Sequence, residues 1–173
     1  EPTNAELADK LGIRPQARRA FYDLIVLDSG PAELTAALYA AREVIDTLVI
    51  ERSGIGGQAG ITKRIDNCPD FSKGIGGSEL ADAMRAQAER FRAEILPVQA
   101  VITVEARGDY RMVRTEAGDE YCTSTLLLAI GVEANLEGVV TPQVKLELDR
   151  GAIRVDGRYE SSAKGIFAAG DVI

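Results

Sequence analysis

Four places in this 173-residue sequence carry side chains or bare backbone suited to chemistry. The first is Asp28-Ser29-Gly30-Pro31-Ala32-Glu33, which follows an apolar run and precedes a helix-patterned stretch. A glycine there lets backbone N–H groups approach a phosphate at the N-terminus of the helix. Of the three glycines in a G-x-G-x-x-G turn only the middle one, Gly30, is present, and taken alone the segment reads more simply as a generic strand-to-helix turn. The second is Glu51, 23 residues after Asp28 and at the end of the next apolar run. An acidic side chain in that position accepts hydrogen bonds from a ribose, although a solvated carboxylate at a strand end is the plainer alternative. The third is Gly56-Gly57, whose bare backbone can lie against a planar ring or can simply belong to a flexible loop. The fourth is Gly170-Asp171, after the last apolar run, which sets a carboxylate at the C-terminal edge of a sheet or caps a helix.

These places need a strand–helix–strand frame. Tyr22 to Leu27 (YDLIVL) has the composition of a buried parallel strand. Pro31 suits the first turn of a helix whose Leu34, Ala37, Leu38 and Ala41 fall on one face. Thr47 to Ile50 (TLVI) is the second buried strand, completing one βαβ unit with an expected right-handed crossover. The stretch 53–77 holds seven glycines and is too long for a mere linker. It is expected to be the least protected region after the N-terminal extension. A helix is predicted over Ser78 to Phe91, capped by Ser78, with Glu79 and Asp82 early and Arg90 and Arg92 late, as the helix dipole prefers. Arg85 and Glu89 stand at i,i+4 on it. Pro97 to Ala106, Tyr110 to Thr115 and Glu120 to Thr123 read as a three-stranded antiparallel meander. Thr125 to Ile130 (TLLLAI) is a further buried strand, followed by a weak strand at Ala152 to Val155 and a last one at Gly165 to Ala169. Residues 1–20 read as a polar extension with a short helix at Ala5 to Leu11.

Composition removes several classes of chemistry. There is no histidine, which excludes Ser-His-Asp and Cys-His nucleophile pairs, His-ligated metals and His-based proton shuttling. Cys68 and Cys122 are 54 residues apart, neither a CxxC pair nor a zinc quartet, and are expected to be reduced thiols. No catalytic residue and no metal site is assigned. The net charge of −7 makes nucleic acid and anionic membrane poor partners for the bulk field. The polar start and the lack of any long apolar window set the expected compartment as the cytoplasm.

Taken in order, YDLIVLDSGPAELTAALYAAR, TLVIER, GIGGQAG, RIDNCPDF, TLLLAIG and GIFAAGD resemble the FAD-binding part of thioredoxin-reductase-like flavoproteins, within the pyridine nucleotide–disulfide oxidoreductases. The resemblance implies an α/β, Rossmann-like FAD-binding domain: a central parallel sheet with helices and a three-stranded antiparallel β-meander. It implies one domain over 21–173, made of segments 21–131 and 132–173 joined directly. Carried over by position, Ser29, Gly30, Pro31 and Ala32 line the pyrophosphate, and Glu51, with Arg52 beside it, holds the adenosine ribose. Gly56, Gly57, Gln58 and Asn67 approach the ribityl and flavin region, and Val101 flanks the adenine. Ala129 to Gly131 pass beneath the cofactor, and Gly170-Asp171 bind the ribityl–phosphate end.

Two departures qualify what the resemblance implies. The family places a complete NAD(P)H domain, with its redox Cys-x-x-Cys, between the two segments, and here there is no room for it. The expected function is therefore an FAD-binding module of an NAD(P)H-linked oxidoreductase, without turnover of its own and with a homodimer left open. Asp28 and Glu33 also stand where the family has glycines. A carboxylate ~5 Å from a phosphate charge costs roughly 3 kcal/mol at an effective dielectric near 20, so two remove on the order of four decades of affinity. Each carboxylate also stabilises a helix N-terminus by about 0.3–1 kcal/mol, standing in for the missing anion. The alternative function is thus a cofactor-free scaffold or dimerisation module, and a redox-independent nucleotide sensor is a third.

Overall fold

A computed structural model describes residues 16–129, 144–149 and 152–169. The predicted helix at Ala5 to Leu11 and the site residues Gly131, Gly170 and Asp171 lie outside these described residues.

The first βαβ unit forms as its sequence dictates. β1 (Phe21–Leu27) pairs in parallel with β2 (Thr47–Ile50), Leu24 opposite Thr47 through Leu27 opposite Ile50. Between them runs α1 (Pro31–Arg42), with Pro31 in its first turn, where the missing N–H has no intrahelical partner to lose. Alternation along the two strands explains why both runs are apolar throughout. Ile25, Leu27, Leu48 and Ile50 enter one core and Val26 and Val49 enter another, so neither face of the sheet meets water. Ala37 and Ala41 of α1 close the second core together with Ala88 and Ala93.

β3 (Glu94–Leu96) extends the parallel part beyond β2. β4 (Val101–Arg107), β5 (Tyr110–Thr115) and the first half of β6 (Glu120–Leu128) form the expected meander. With β9 (Ile166–Ala168) added to β6, the main sheet has seven strands, six of them in the order β3-β2-β1-β6-β5-β4. The class predicted from sequence, a Rossmann-like sheet with helices and a meander, is the one found.

Three boundaries are corrected. The predicted strand Pro97 to Ala106 begins only at Val101, as β4, because residues 97–100 form a corner at which Val98 takes a φ of +59°, and the unpredicted β3 lies just before that corner. Glu120 to Thr123 and Thr125 to Ile130 are not separate strands but one, β6. It pairs with β1 from Cys122 to Leu128, with β5 through its first half and with β9 through its second. The reason is that Thr125 simply continues the pairing, opposite Leu24. The weak strand at Ala152 to Val155 is the two-residue β8 (Ala152–Ile153), paired with an unpredicted β7 (Leu148–Asp149).

The Gly-rich connection is partly ordered. It carries the one-turn α2 (Gly57–Ile61) and a mutual backbone pairing of Ile65 with Ile75. α3 (Gly77–Arg90) then packs beside α1 and α2. Ser78 does not cap it; Gly76 does, without any side-chain bond. The cause is crowding: a Cβ on Gly77 would lie 1.8 Å from the Ala59 carbonyl oxygen, so the helix must begin on bare backbone. The Arg85–Glu89 pair forms at 3.0 Å, on an exposed face.

Candidate functional site

The C-terminal ends of β1 and β2 bring the first three chemical places together. Asp28 leaves β1 with its N–H donating to the Ile50 carbonyl at 2.9 Å, and it adopts a φ of +82°. That left-handed conformation suits glycine, and Asp or Asn among the other residues. Ser29 is fully buried, and its hydroxyl donates to Glu51 Oε2 at 2.5 Å. The N–H of Ser53 donates to the other oxygen, Oε1, at 2.6 Å, so both oxygens of the buried Glu51 are held. Gly56 closes the ring of contacts by donating its N–H to the Ser29 carbonyl at 2.9 Å. Its φ is +99° and a Cβ there would meet the Ala81 methyl at 2.4 Å, so this approach requires glycine. Gly57 in turn lies against the backbone of Gly30.

The acids lie inside this arrangement. Glu33 is only 4% exposed, and its Oε2 sits 2.7 Å from where a Cβ on Gly30 would be, folded back on the start of its own helix. Asp28 is half-buried, with Oδ1 accepting the Ser29 N–H at 2.6 Å and facing Gly57. Burial, then the neighbouring Glu51 carboxyl, push Asp28 up to about 6, against the opposing pull of the Ser29 N–H.

The other predicted site residues are more dispersed. Pro31 and Ala32 are exposed on the first turn of α1, beside Gly30. Arg52, Gln58 and Asn67 are exposed, and no described contact ties them to the Glu51 cluster. Val101 begins β4 and is half-buried, while Ala129 is buried just past β6. Sequence reasoning missed two residues. Ser53 is one, and nothing marks it beyond standing two positions after Glu51. The other is Gln99, buried at the β3–β4 corner with its N–H donating to the Glu51 carbonyl at 2.8 Å. Its Oε1 has no hydrogen-bond partner among the described residues. Cys68 and Cys122 are both free and half-buried. Among the described residues no helix is long and apolar enough to cross a membrane.

Comparison with known proteins places this geometry in context. The sequence profile of the pyridine nucleotide-disulphide oxidoreductases matches residues 65–173. A bifunctional thioredoxin reductase/thioredoxin of Mycobacterium leprae is 44% identical over 117 residues, which cover 68% of this chain and 25% of that protein. The chain thus spans about a quarter of the length of that relative. Among solved structures, a thioredoxin reductase from Gloeobacter violaceus superposes with a TM-score of 0.77 at 16% identity, over 90% of this chain and 87% of the other. A ferredoxin-flavin thioredoxin reductase from Clostridium acetobutylicum does so with a TM-score of 0.72 at 18% identity, over 88% and 89%. At these identities the likeness is one of fold.

Proposed function

Because the chain belongs to the pyridine nucleotide-disulphide oxidoreductase family, we propose that it is the FAD-binding module of a thioredoxin-reductase-like, NAD(P)H-linked oxidoreductase. The observation that carries this reading is the meeting of Ser29-Gly30, Glu51 and Gly56-Gly57 at the C-terminal edge of parallel strands, where α/β sheets take their ligands.

Tested against FAD, the residues fit at the two ends. Glu51 stands at a strand end suited to a ribose, and the Gln99 oxygen, without a partner among the described residues, leaves a hydrogen-bond acceptor on a residue whose N–H bonds the Glu51 carbonyl. Gly56 and Gly57 offer bare backbone. Between the ends, Glu33 and Asp28 oppose a pyrophosphate whenever they are charged and folded inward. When bound, FAD supplies a ring that accepts hydride. This chain's own contribution is to hold and orient it through Ser29 to Ala32, Glu51, Gly56 and Gly57. Gly131, Gly170 and Asp171 belong to the same proposal by position.

Turnover alone is not expected. The stretch 129–165 separates β6 from β9 and is too short for the second nucleotide domain that would deliver hydride. The domain division, a cytoplasmic setting and a homodimer are parts of the same proposal. The test is to purify the chain with and without added FAD and record the visible spectrum. Retained flavin absorbance supports the reading, and NADPH consumption by the flavin-loaded chain would overturn its catalytic half. No flavin uptake at any pH would favour the second reading, a cofactor-free scaffold. The specific observation behind that alternative is the Glu33 carboxyl seated over Gly30.

A further inference from the structure

Arg111, on β5, is the one lysine or arginine buried among the described residues, and only 6% of it is exposed. A guanidinium keeps its charge throughout the pH range of folded proteins, so burying one calls for an anion beside it. No carboxylate pairs with it among the described residues. Each described arginine that does pair with one lies on the exposed surface, where such a pair contributes little. Nη1 of Arg111 donates to the carbonyls of Tyr110 at 3.1 Å and Gly108 at 3.5 Å. Its Nε is buried without a partner, and no described group accepts from Nη2. Glu160 shares one neighbour with Arg111, Gly165, but its Oε1 accepts the Gly165 N–H at 2.7 Å instead.

We propose that Arg111 is an oxyanion site, its Nε–Nη2 edge taking two oxygens of one carboxylate or phosphate group. Those two N–H groups are the parallel donors along one side of the guanidinium, matched in spacing to a pair of oxygens that share a negative charge. The edge is held in position from both flanks. Nη1 is anchored to the turn between β4 and β5, and Nη2 packs on Gly165, where a Cβ would lie 3.0 Å away. Because Nε is shut off from water, the anion seats itself only with some movement of the guanidinium over Gly165. The site is separate from the Glu51 cluster. Arg111 lies opposite Thr123 of β6, which lies opposite Tyr22 near the start of β1, whereas Ser29 and Glu51 follow the ends of β1 and β2. The proposal therefore stands whether or not the chain binds FAD.

Isothermal titration of the full chain at pH 7.5, in chloride buffer of constant ionic strength, measures binding of inorganic phosphate and of acetate. Parent, Arg111→Lys and Arg111→Gln are compared: the first variant keeps the charge and loses the fork, the second loses both. The parent binds at least one of the two anions saturably. Affinity falls roughly tenfold in Arg111→Lys, the cost of one charged hydrogen bond, and binding is lost in Arg111→Gln. Tighter binding of phosphate assigns the site to phosphoryl groups, and tighter or equal binding of acetate assigns it to carboxylates; either supports the proposal. A parent that binds neither anion overturns it. So does binding that persists in Arg111→Gln, which places the anion elsewhere. Glu160→Gln tests for an internal partner. It should bind as the parent does, and binding seen only after that change means that Glu160 serves Arg111, which also overturns the site. If the Arg111 variants fail to fold, the Arg111 Nε–H resonance of the parent decides. Its shift on titration supports the site, and a resonance unmoved by saturating anion overturns it.

Discussion

Asp28 carries two burdens at one position. It occupies a left-handed conformation that glycine takes without strain, and its carboxyl is driven out of water beside a second carboxyl. The second burden has a sign that can be worked out. The folded protein binds this proton more tightly than the unfolded chain, because the carboxyl is raised from 3.8 to about 6. The contribution to stability is therefore fully present below about pH 4 and is lost as pH rises through about 6. The side chain is only partly buried, and solvent screening discounts the loss to ~1 kcal/mol. Asp28→Asn should raise the stability of the ligand-free protein by about that amount at pH 7.5 and by nothing measurable at pH 4, as urea unfolding at the two pH values will show. A gain of equal size at both would mean that bulk or backbone, and not charge, sets the cost.

The elements show where local chemistry decides and where it does not. α1 ends through Glu43 into Val44, whose φ is +64° and which is 90% exposed. The N–H groups of Val44 and Ile45 satisfy the carbonyls of Ala41 and Ala40, which fixes the left-handed position. A β-branched residue there is strained by on the order of 1–3 kcal/mol, and so exposed a side chain offers little packing in return. Val44→Gly should raise the melting temperature, by the equivalent of roughly 1 kcal/mol after the extra freedom of glycine in the unfolded chain is subtracted. An unchanged or lower melting temperature would count against strain at this cap. Much of this architecture was legible from the residues. Pro31 and the Leu34–Ala37–Ala41 spacing mark α1, and TLVI marks β2 to the residue. The Glu51–Ser29 meeting follows from where β1 and β2 end. What could not be read was set by partners distant in sequence. The start of α3 at Gly77 answers to the Ala59 carbonyl, and the unbroken run of β6 answers to β1. Glu33 gives no sign in its own neighbourhood that it folds back over Gly30, because the same side chain on an exposed first turn would read identically.

At the scale of the molecule, stability is graded around β6. The amides of Val26 and Leu126, in strands with partners on both sides, should be the slowest to exchange with solvent. Ile65 and Ile75, whose backbones bond one another outside the main sheet, should be intermediate. The loop between them, which is mostly exposed, should be fastest. Hydrogen exchange that ranks Ile65 with Val26 would contradict this grading. The pairing of β6 also has a consequence for how the chain is made. β1 emerges from the ribosome as a finished strand with its βαβ partner close behind, yet its other edge must wait about a hundred residues, until Cys122 to Leu128 arrive to cover it. β9, later still, is required before the far edge of β6 is closed. A sheet whose central joint is its most distant contact folds slowly for its size. Throughout that interval it leaves Leu24 to Leu27 as an open apolar ribbon, the segment that a holding chaperone, or a second nascent copy, meets first.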